Sequence, residues 1–249
     1  MAVLFSEIPW GPVLILLPLA GGIACFLFPA SAKTLGLLTL ALVGLAVVGL
    51  GWQLLGHGVY HHTVGGWGAP LGIDLYADGL SLLMLAMTAL VGLGVSLYAT
   101  GYFQPVDSVR FWPLWLLLLG ALNALFLSGD LFNLYVTLEL VGLSAVALTA
   151  LQGGRDALTG AMRYLLATLL GSLLYLLGVA LLYHGFGTVD LGLLSERVTP
   201  SPVAWAALGL MSAGLILKTA LFPLHFWLPP AHASAPAPVS AVLSALVVK

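Results

Sequence analysis

The stretch LILKTALFPLHFWLP, residues 215–229, decides how this chain is read. It has the apolar density of a membrane helix. Yet Lys218 stands inside the apolar run, and Pro223 follows five residues later. A cation at the bilayer centre costs about 2.5–3.5 kcal/mol on insertion scales. A proline within a helix removes the hydrogen bond to the carbonyl four residues earlier, here that of Thr219. In hydrocarbon, a freed carbonyl is tolerated only where protein or water satisfies it. The stretch therefore predicts a helix broken at Pro223 that lines a hydrated cavity, an arrangement suited to moving ions.

The composition fits a membrane setting. Of 249 residues, 61% are hydrophobic and 6% charged, and the mean hydropathy is +1.12. Soluble domains carry about 25% charged residues, so the bilayer is the solvent for most of this chain. A formal net charge of −2 with no basic patch argues against a nucleic-acid partner. The single cysteine, Cys25, has no partner for an internal disulfide. The first apolar run follows Glu7, lacks a basic start and has no clear cleavage site, and it reads as a retained span. There is no CxxC, P-loop, dinucleotide-binding glycine pattern or nucleophile triad, so neither a cofactor nor redox chemistry is expected within the chain.

A span takes about 20 apolar residues. Seven complete candidates cover roughly 9–29, 33–55, 79–101, 111–128, 131–151, 161–185 and 204–227. An eighth starts near Val239 and reaches Lys249 after about half a span, so its completion needs residues beyond this sequence. The expected fold is an all-α polytopic membrane protein with a broken seventh helix and a truncated eighth. Residues 1–110 hold the first three helices, and 111–249 hold a unit of helices four to eight. The Gly- and His-rich segment 56–78 predicts a hairpin over the membrane surface. Segments 103–107, 153–160 and 186–203 read as loops. Lys33, Arg110, Arg155 and Arg163 fall on one side of the membrane and Arg197 on the other. The positive-inside rule then places the N-terminus outside.

Three charges lie within spans: Glu139 in the fifth, Lys218 in the seventh and Lys249 in the eighth. At 1.5 Å per residue, Glu139 sits ~12 Å deep and Lys218 ~21 Å deep, both near the middle of the bilayer. Burial disfavours the charged form of either residue, and pairing restores it. Protonation of Glu139 would loosen its hold on Lys218, which could pass its proton to Lys249. Such a relay needs neither metal nor organic cofactor. A static ion pair that fixes helix packing is the plainer alternative. His225, seven residues past Lys218, would share its helix face and is a candidate relay group. His232 is a candidate for the cytoplasmic exit.

The other polar residues have simpler readings. Asp78 and Asp130 precede helices as N-caps. Arg163, in the first turn of the sixth span, is an interfacial anchor. His57, His61 and His62 lack metal-ligand spacing and belong to a solvated loop.

SGDLFNLYVTLEL (128–140) and LKTALFPLHFWLPPAHASAPAPVSAVLSALVVK (217–249) resemble the proton-translocating antiporter-like membrane subunits. These occur in respiratory complex I, membrane-bound hydrogenases and Mrp-type sodium/proton antiporters. GIDLYADGLSLLMLAMTALVG (72–92) and MRYLLATLLGSLLYLLGVALLYHGFGTVDL (162–191) fit the same family, and GDLFNLYV is most similar to the Mrp D-type subunit and its hydrogenase relatives. The resemblance implies a fifth-helix glutamate at Glu139, a broken-helix lysine at Lys218 and an eighth-helix lysine at Lys249. It puts His225 at a motif histidine. Family members carry two inverted five-helix repeats, and only the first is represented here.

The expected function is proton conduction by a multi-pass subunit of the cell's inner (plasma) membrane. Other membrane subunits and the bilayer would be its partners. Proton movement would be exchanged for Na⁺ or another cation, or coupled to electron transfer elsewhere in the complex. The chain reads as a transporter subunit more than as an enzyme. The rival readings are a membrane scaffold and a proton-flow partner of a soluble enzyme, such as a bicarbonate-uptake protein.

Overall fold

The computed structural model describes residues 8–70 and 72–248. Two helices open the chain, α1 (Trp10–Leu27) and α2 (Ala32–His57). An antiparallel hairpin follows, β1 (Tyr60–Thr63) with β2 (Asp74–Ala77), in which Tyr60 faces Ala77 and Thr63 faces Asp74. Then come α3 (Gly79–Tyr102), α4 (Pro105–Phe126), α5 (Leu131–Thr149) and α6 (Arg155–Phe186). A short α7 (Leu191–Arg197) precedes α8 (Pro202–Lys218). The chain ends with a short α9 (Leu228–Ser234) and α10 (Ala237–Val242), the latter running on as a π-helical turn over Leu243–Val247.

Six of these segments are long and apolar enough to cross a membrane. The seventh expected span is shorter than predicted. α8 has 17 residues and stops at Lys218, residues 219–227 are not helical, and α9 starts only at Leu228. Two other boundaries differ from the sequence reading. α4 starts at Pro105 because a proline at the first helical position and Asp107 in the first turn both favour helix there. α6 starts at Arg155, with Asp156 in its first turn, so Arg163 lies in the third turn and not the first. The 186–203 segment is a loop only in part, because α7 forms within it.

Side-chain caps start the helices where the chain turns. Asp78 accepts from the Ser81 N–H at 2.9 Å, Asp130 from Asn133 at 2.6 Å and Asp190 from Leu193 at 2.8 Å. All three lie on the face of the bundle that carries the hairpin. At the opposite face, the Ala237 N–H of α10 donates to the Tyr102 hydroxyl at the end of α3, 3.4 Å away.

α4 is the central column. Some 67% of its apolar window is buried, more than in any other span. Phe111, Trp115, Leu116, Leu118 and Leu119 are fully enclosed. Two of its buried polar groups tie it to neighbouring helices. Trp115 Nε1 donates to Ser96 Oγ of α3 at 2.9 Å, and Asn123 Nδ2 to the Leu14 carbonyl of α1 at 2.8 Å. Outward apolar residues such as Phe26, Leu55 and Leu90 are left for lipid.

α6 and α8 approach most closely, and small residues permit it. A Cβ on Gly214 would collide with the Gly171 carbonyl, and one on Gly178 would meet the Ala207 carbonyl at 2.8 Å. Membrane helices gain little from hydrophobic sequestration against lipid, so this backbone-to-backbone packing supplies the contact. Gly209, on the same helix as Gly214, has nothing within 4 Å of its would-be Cβ. Gly214→Ala is expected to lower stability by about 1–3 kcal/mol through overpacking. Gly209→Ala is expected to be neutral or stabilising. Thermal unfolding of both variants in detergent checks the contrast.

Candidate functional site

α5 carries Glu139 and α6 carries Ser172 where the two helices pack. α8 brings Lys218 to them on its last helical residue. Lys218 Nζ stands 3.4 Å from Glu139 Oε1, and the two side chains are 9% and 20% exposed. Among the described residues this is the one ion pair. The close approach at Gly171 matters here, because a Cβ on that residue would meet Lys218 Cγ at 3.1 Å. Ser172 Oγ is hydrogen-bonded to the same Glu139 oxygen and also lies 2.9 Å from the Thr168 carbonyl. One hydroxyl hydrogen thus has two acceptors in reach.

The helix stops at Lys218 for a local reason that precedes Pro223. Ala220 adopts a φ of +52°. Its N–H reaches the Leu217 carbonyl at 3.3 Å, and the Leu221 N–H reaches the Ile216 carbonyl at 3.1 Å. These are the two bonds of a Schellman cap, here closed by an alanine in the left-handed region that glycine usually fills. Thr219 adds a hydroxyl bond to the Leu215 carbonyl at 3.0 Å. The carbonyls of Leu215, Ile216 and Leu217 in the last turn of α8 are therefore each taken by protein donors. Thr219, whose carbonyl was expected to be freed by Pro223, is itself the end cap. The ammonium of Lys218 sits at the negative end of the α8 dipole, which favours a cation there.

Trp227 returns the chain to the site. It is fully buried. Its ring stacks on Tyr164 of α6 with centroids 4.4 Å apart and planes 5° from parallel. Its Nε1–H donates to the Leu217 carbonyl at 2.9 Å. The indole thereby bridges the end of α8 and the start of α9 across the non-helical segment.

The remaining sequence candidates fall elsewhere. His225 is exposed, and its ring lies 5.7 Å from that of Phe222. The shared-face argument does not carry it to Lys218, because no helix joins the two positions. Pro223 lies inside the non-helical segment. His232 on α9 holds Ser240 of α10, Nδ1 to Oγ 2.7 Å. Lys249 lies outside the described residues. Among the described residues, no three His, Cys, Asp or Glu side chains are grouped to hold a metal ion.

Two family models match the chain. "NADH:quinone oxidoreductase/Mrp antiporter, TM" covers residues 128–249, which include every candidate above. "NADH-Ubiquinone oxidoreductase (complex I), chain 5 N-terminus" covers 66–111. The chain belongs to the antiporter-like membrane subunits of Mrp antiporters and complex I. Among its relatives are the N-type NADH-quinone oxidoreductase subunit of Desulforudis audaxviator and the D-type Na(+)/H(+) antiporter subunit of Bacillus subtilis. The first is 41% identical over 196 residues, 76% of this chain and 39% of that protein. The second is 34% identical over 203 residues, 77% of this chain and 40% of that protein. A chain of the membrane-bound sulfane sulfur reductase, an archaeal respiratory complex, superposes with a TM-score of 0.91 at 30% identity. That match covers 96% of this chain and 50% of the other. A chain of the Mrp complex from Dietzia sp. superposes at 0.84 with 27% identity, covering 97% and 47%. This antiporter-like chain therefore spans about half the length of the solved relatives and about two-fifths of the curated ones.

Sequence reasoning found Glu139 and Lys218 but missed Ser172, Tyr164 and Trp227. A signal existed for the packing around them. Gly171 and Gly178 on α6, and Ala207 and Gly214 on α8, repeat small residues every seven positions. Trp227→Phe keeps a ring against Tyr164 but removes the donor to the Leu217 carbonyl. It is expected to lower stability by about 1–3 kcal/mol, the cost of a weakened buried hydrogen bond. Thermal unfolding reads the loss, and an unchanged midpoint would mean that the indole N–H does not hold the end of α8.

Proposed function

We propose that this chain is a proton-conducting subunit of a multisubunit membrane complex, with Glu139 and Lys218 on its path and Lys249 as the next carrier. The observation that carries this reading is the 3.4 Å Glu139–Lys218 pair at the point where α8 ends. On this reading α8 and α9 are the two halves of one broken span, and residues 219–227 are the gap that admits water beside Lys218. A packing device alone would not need a lysine at a helix end with a non-helical segment next to it.

The pair suits proton transfer. When Glu139 is ionised it holds the Lys218 ammonium and accepts from Ser172. When Glu139 takes a proton, its attraction for Lys218 falls and the ammonium is free to release its own proton onward. Ser172 can then turn its hydrogen to the Thr168 carbonyl and accept from the protonated carboxyl, so Glu139 is satisfied in both states. His225, exposed in the gap, and His232, joined to α10, are candidates for exchange with water and for the exit. The membrane is read as the cell's inner (plasma) membrane with the N-terminus outside, the orientation resting on the distribution of Lys33, Arg110, Arg155 and Arg163 against Arg197.

The coupling has two forms, in line with the names of the relatives. One is exchange of protons for Na⁺ or another monovalent cation. The other is pumping driven by electron transfer in neighbouring subunits. A scaffold role predicts the reverse pattern, in which charge removal lowers assembly and leaves transport per assembled complex intact.

The test is ΔpH-driven proton flux in vesicles containing the full complex, at matched levels of assembled protein. Lys218→Met is expected to lower flux by on the order of 100-fold, the scale of a lost proton-transfer group. Glu139→Gln is expected to behave alike. Unchanged flux in Lys218→Met would overturn the relay.

A further inference from the structure

At the hairpin face, three chain segments are joined by backbone hydrogen bonds. The Tyr76 N–H donates to the Leu127 carbonyl and the Gly129 N–H to the Asp74 carbonyl, both at 2.9 Å. The same run then meets the turn before α7. The Leu131 N–H donates to the Val189 carbonyl at 2.9 Å, and the Leu191 N–H to the Gly129 carbonyl at 3.1 Å. These bonds flank Asp130 and Asp190, which form an antiparallel bridge. In such a non-hydrogen-bonded pair the Cα atoms lie ~4.5 Å apart and the side chains are closest. Like charges placed directly opposite are unfavourable.

Asp130 is 6% exposed. Its Oδ1 accepts from the Asn133 N–H, but its Oδ2 is buried with no hydrogen-bond partner. Asp190 Oδ1 caps α7. Asp74 on β2 is 5% exposed and also has a buried, unpartnered oxygen, Oδ1. The charges acting on Asp130 are those of Asp190 and Asp74, and Tyr175 of α6 lies within electrostatic reach. Among the described residues none of the three aspartates is ion-paired with a Lys, Arg or His. Burial chiefly, with a smaller contribution from these two neighbours, raises the proton affinity of Asp130 above that of an ordinary aspartate, against the opposing pull of the Asn133 and Phe132 backbone N–H groups. A cavity of about 380 Å³, bordered by Ile73, Phe132, Val179, Tyr183 and Val189, reaches Asp130.

We propose that Asp130 and Asp190 share one bound proton, which makes the hairpin-face end of α5 a proton-binding site distinct from the Glu139–Lys218 pair. A hydrogen between Asp130 Oδ2 and the Asp190 carboxyl satisfies the orphaned oxygen. It also removes one of two opposed charges. The cavity gives the pair access to its surroundings. Asp130 lies nine residues before Glu139, or ~14 Å along α5. The site stands whether or not Glu139 conducts. Because the folded state holds this proton more tightly than the unfolded chain, the contribution to stability is present at low pH. It is lost as pH rises through the folded pKa of Asp130.

The test is infrared spectroscopy of the lipid-reconstituted protein, following the C=O stretch of a protonated carboxyl near neutral pH. Asp130→Asn and Asp190→Asn both keep their helix caps, since asparagine caps as well as aspartate. Each also supplies an amide hydrogen to the carboxylate that remains. The carboxyl band is expected in the wild type, in Glu139→Gln and in Asp74→Asn. It should be lost from Asp130→Asn and from Asp190→Asn alike. A wild type without the band, or a band that survives in either of those two variants, would overturn the shared proton.

Discussion

Hydrocarbon offers no water to a backbone polar group, and the rest of this structure depends on that constraint. Each place where the chain leaves helical geometry has to satisfy its own N–H and C=O groups with protein or with water held in a cavity. Lys218 marks the most consequential of these places. Of the carbonyls that α8 leaves open, those of Leu215, Ile216 and Leu217 are taken by Ala220, Leu221, the Thr219 hydroxyl and the Trp227 indole. With these carbonyls satisfied, the helix can stop beside a partly buried carboxylate and present a lysine to it.

The same constraint shapes the packing. α6 and α8 meet through Gly171, Gly178, Ala207 and Gly214, so that backbones approach where bulky side chains would hold them apart. That approach sets the position of Lys218, whose Cγ lies in the space a side chain at Gly171 would fill. The stack of Trp227 on Tyr164 then ties the start of α9 to α6 as well. The ion pair is thus held by one long helix, α6, which touches both halves of the interrupted region. The hairpin face is organised differently. There the chain is extended, and its polar groups pair across β2, residues 127–131 and residues 189–191.

Much of the fold was legible as hydropathy. Apolar runs of span length mark six helices to within a few residues, and Asp78 and Asp130 mark helix starts through their side-chain oxygens. Boundaries were read less well where amphipathic turns extend a helix past its apolar core, as at Pro105 and Arg155. Pro223 drew attention to the right region but was assigned the wrong part in it. The stop is a Schellman cap at Ala220, and an alanine there carries no sequence signal because the left-handed conformation is normally announced by glycine.

By itself, the sequence determined the membrane as solvent, the approximate helices and the ionisable residues, Glu139 and Lys218 among them, that could not face lipid. Those follow from transfer energies and helix period, which are properties of short stretches of chain. The partners were decided only in the tertiary structure. Ser172 reaching Glu139, Trp227 closing the end of α8, and Asp130 set opposite Asp190 each join segments separated by 10 residues or more. No local preference encodes such a meeting. It follows from how close two backbones can come and from which polar atoms are still unsatisfied when they do.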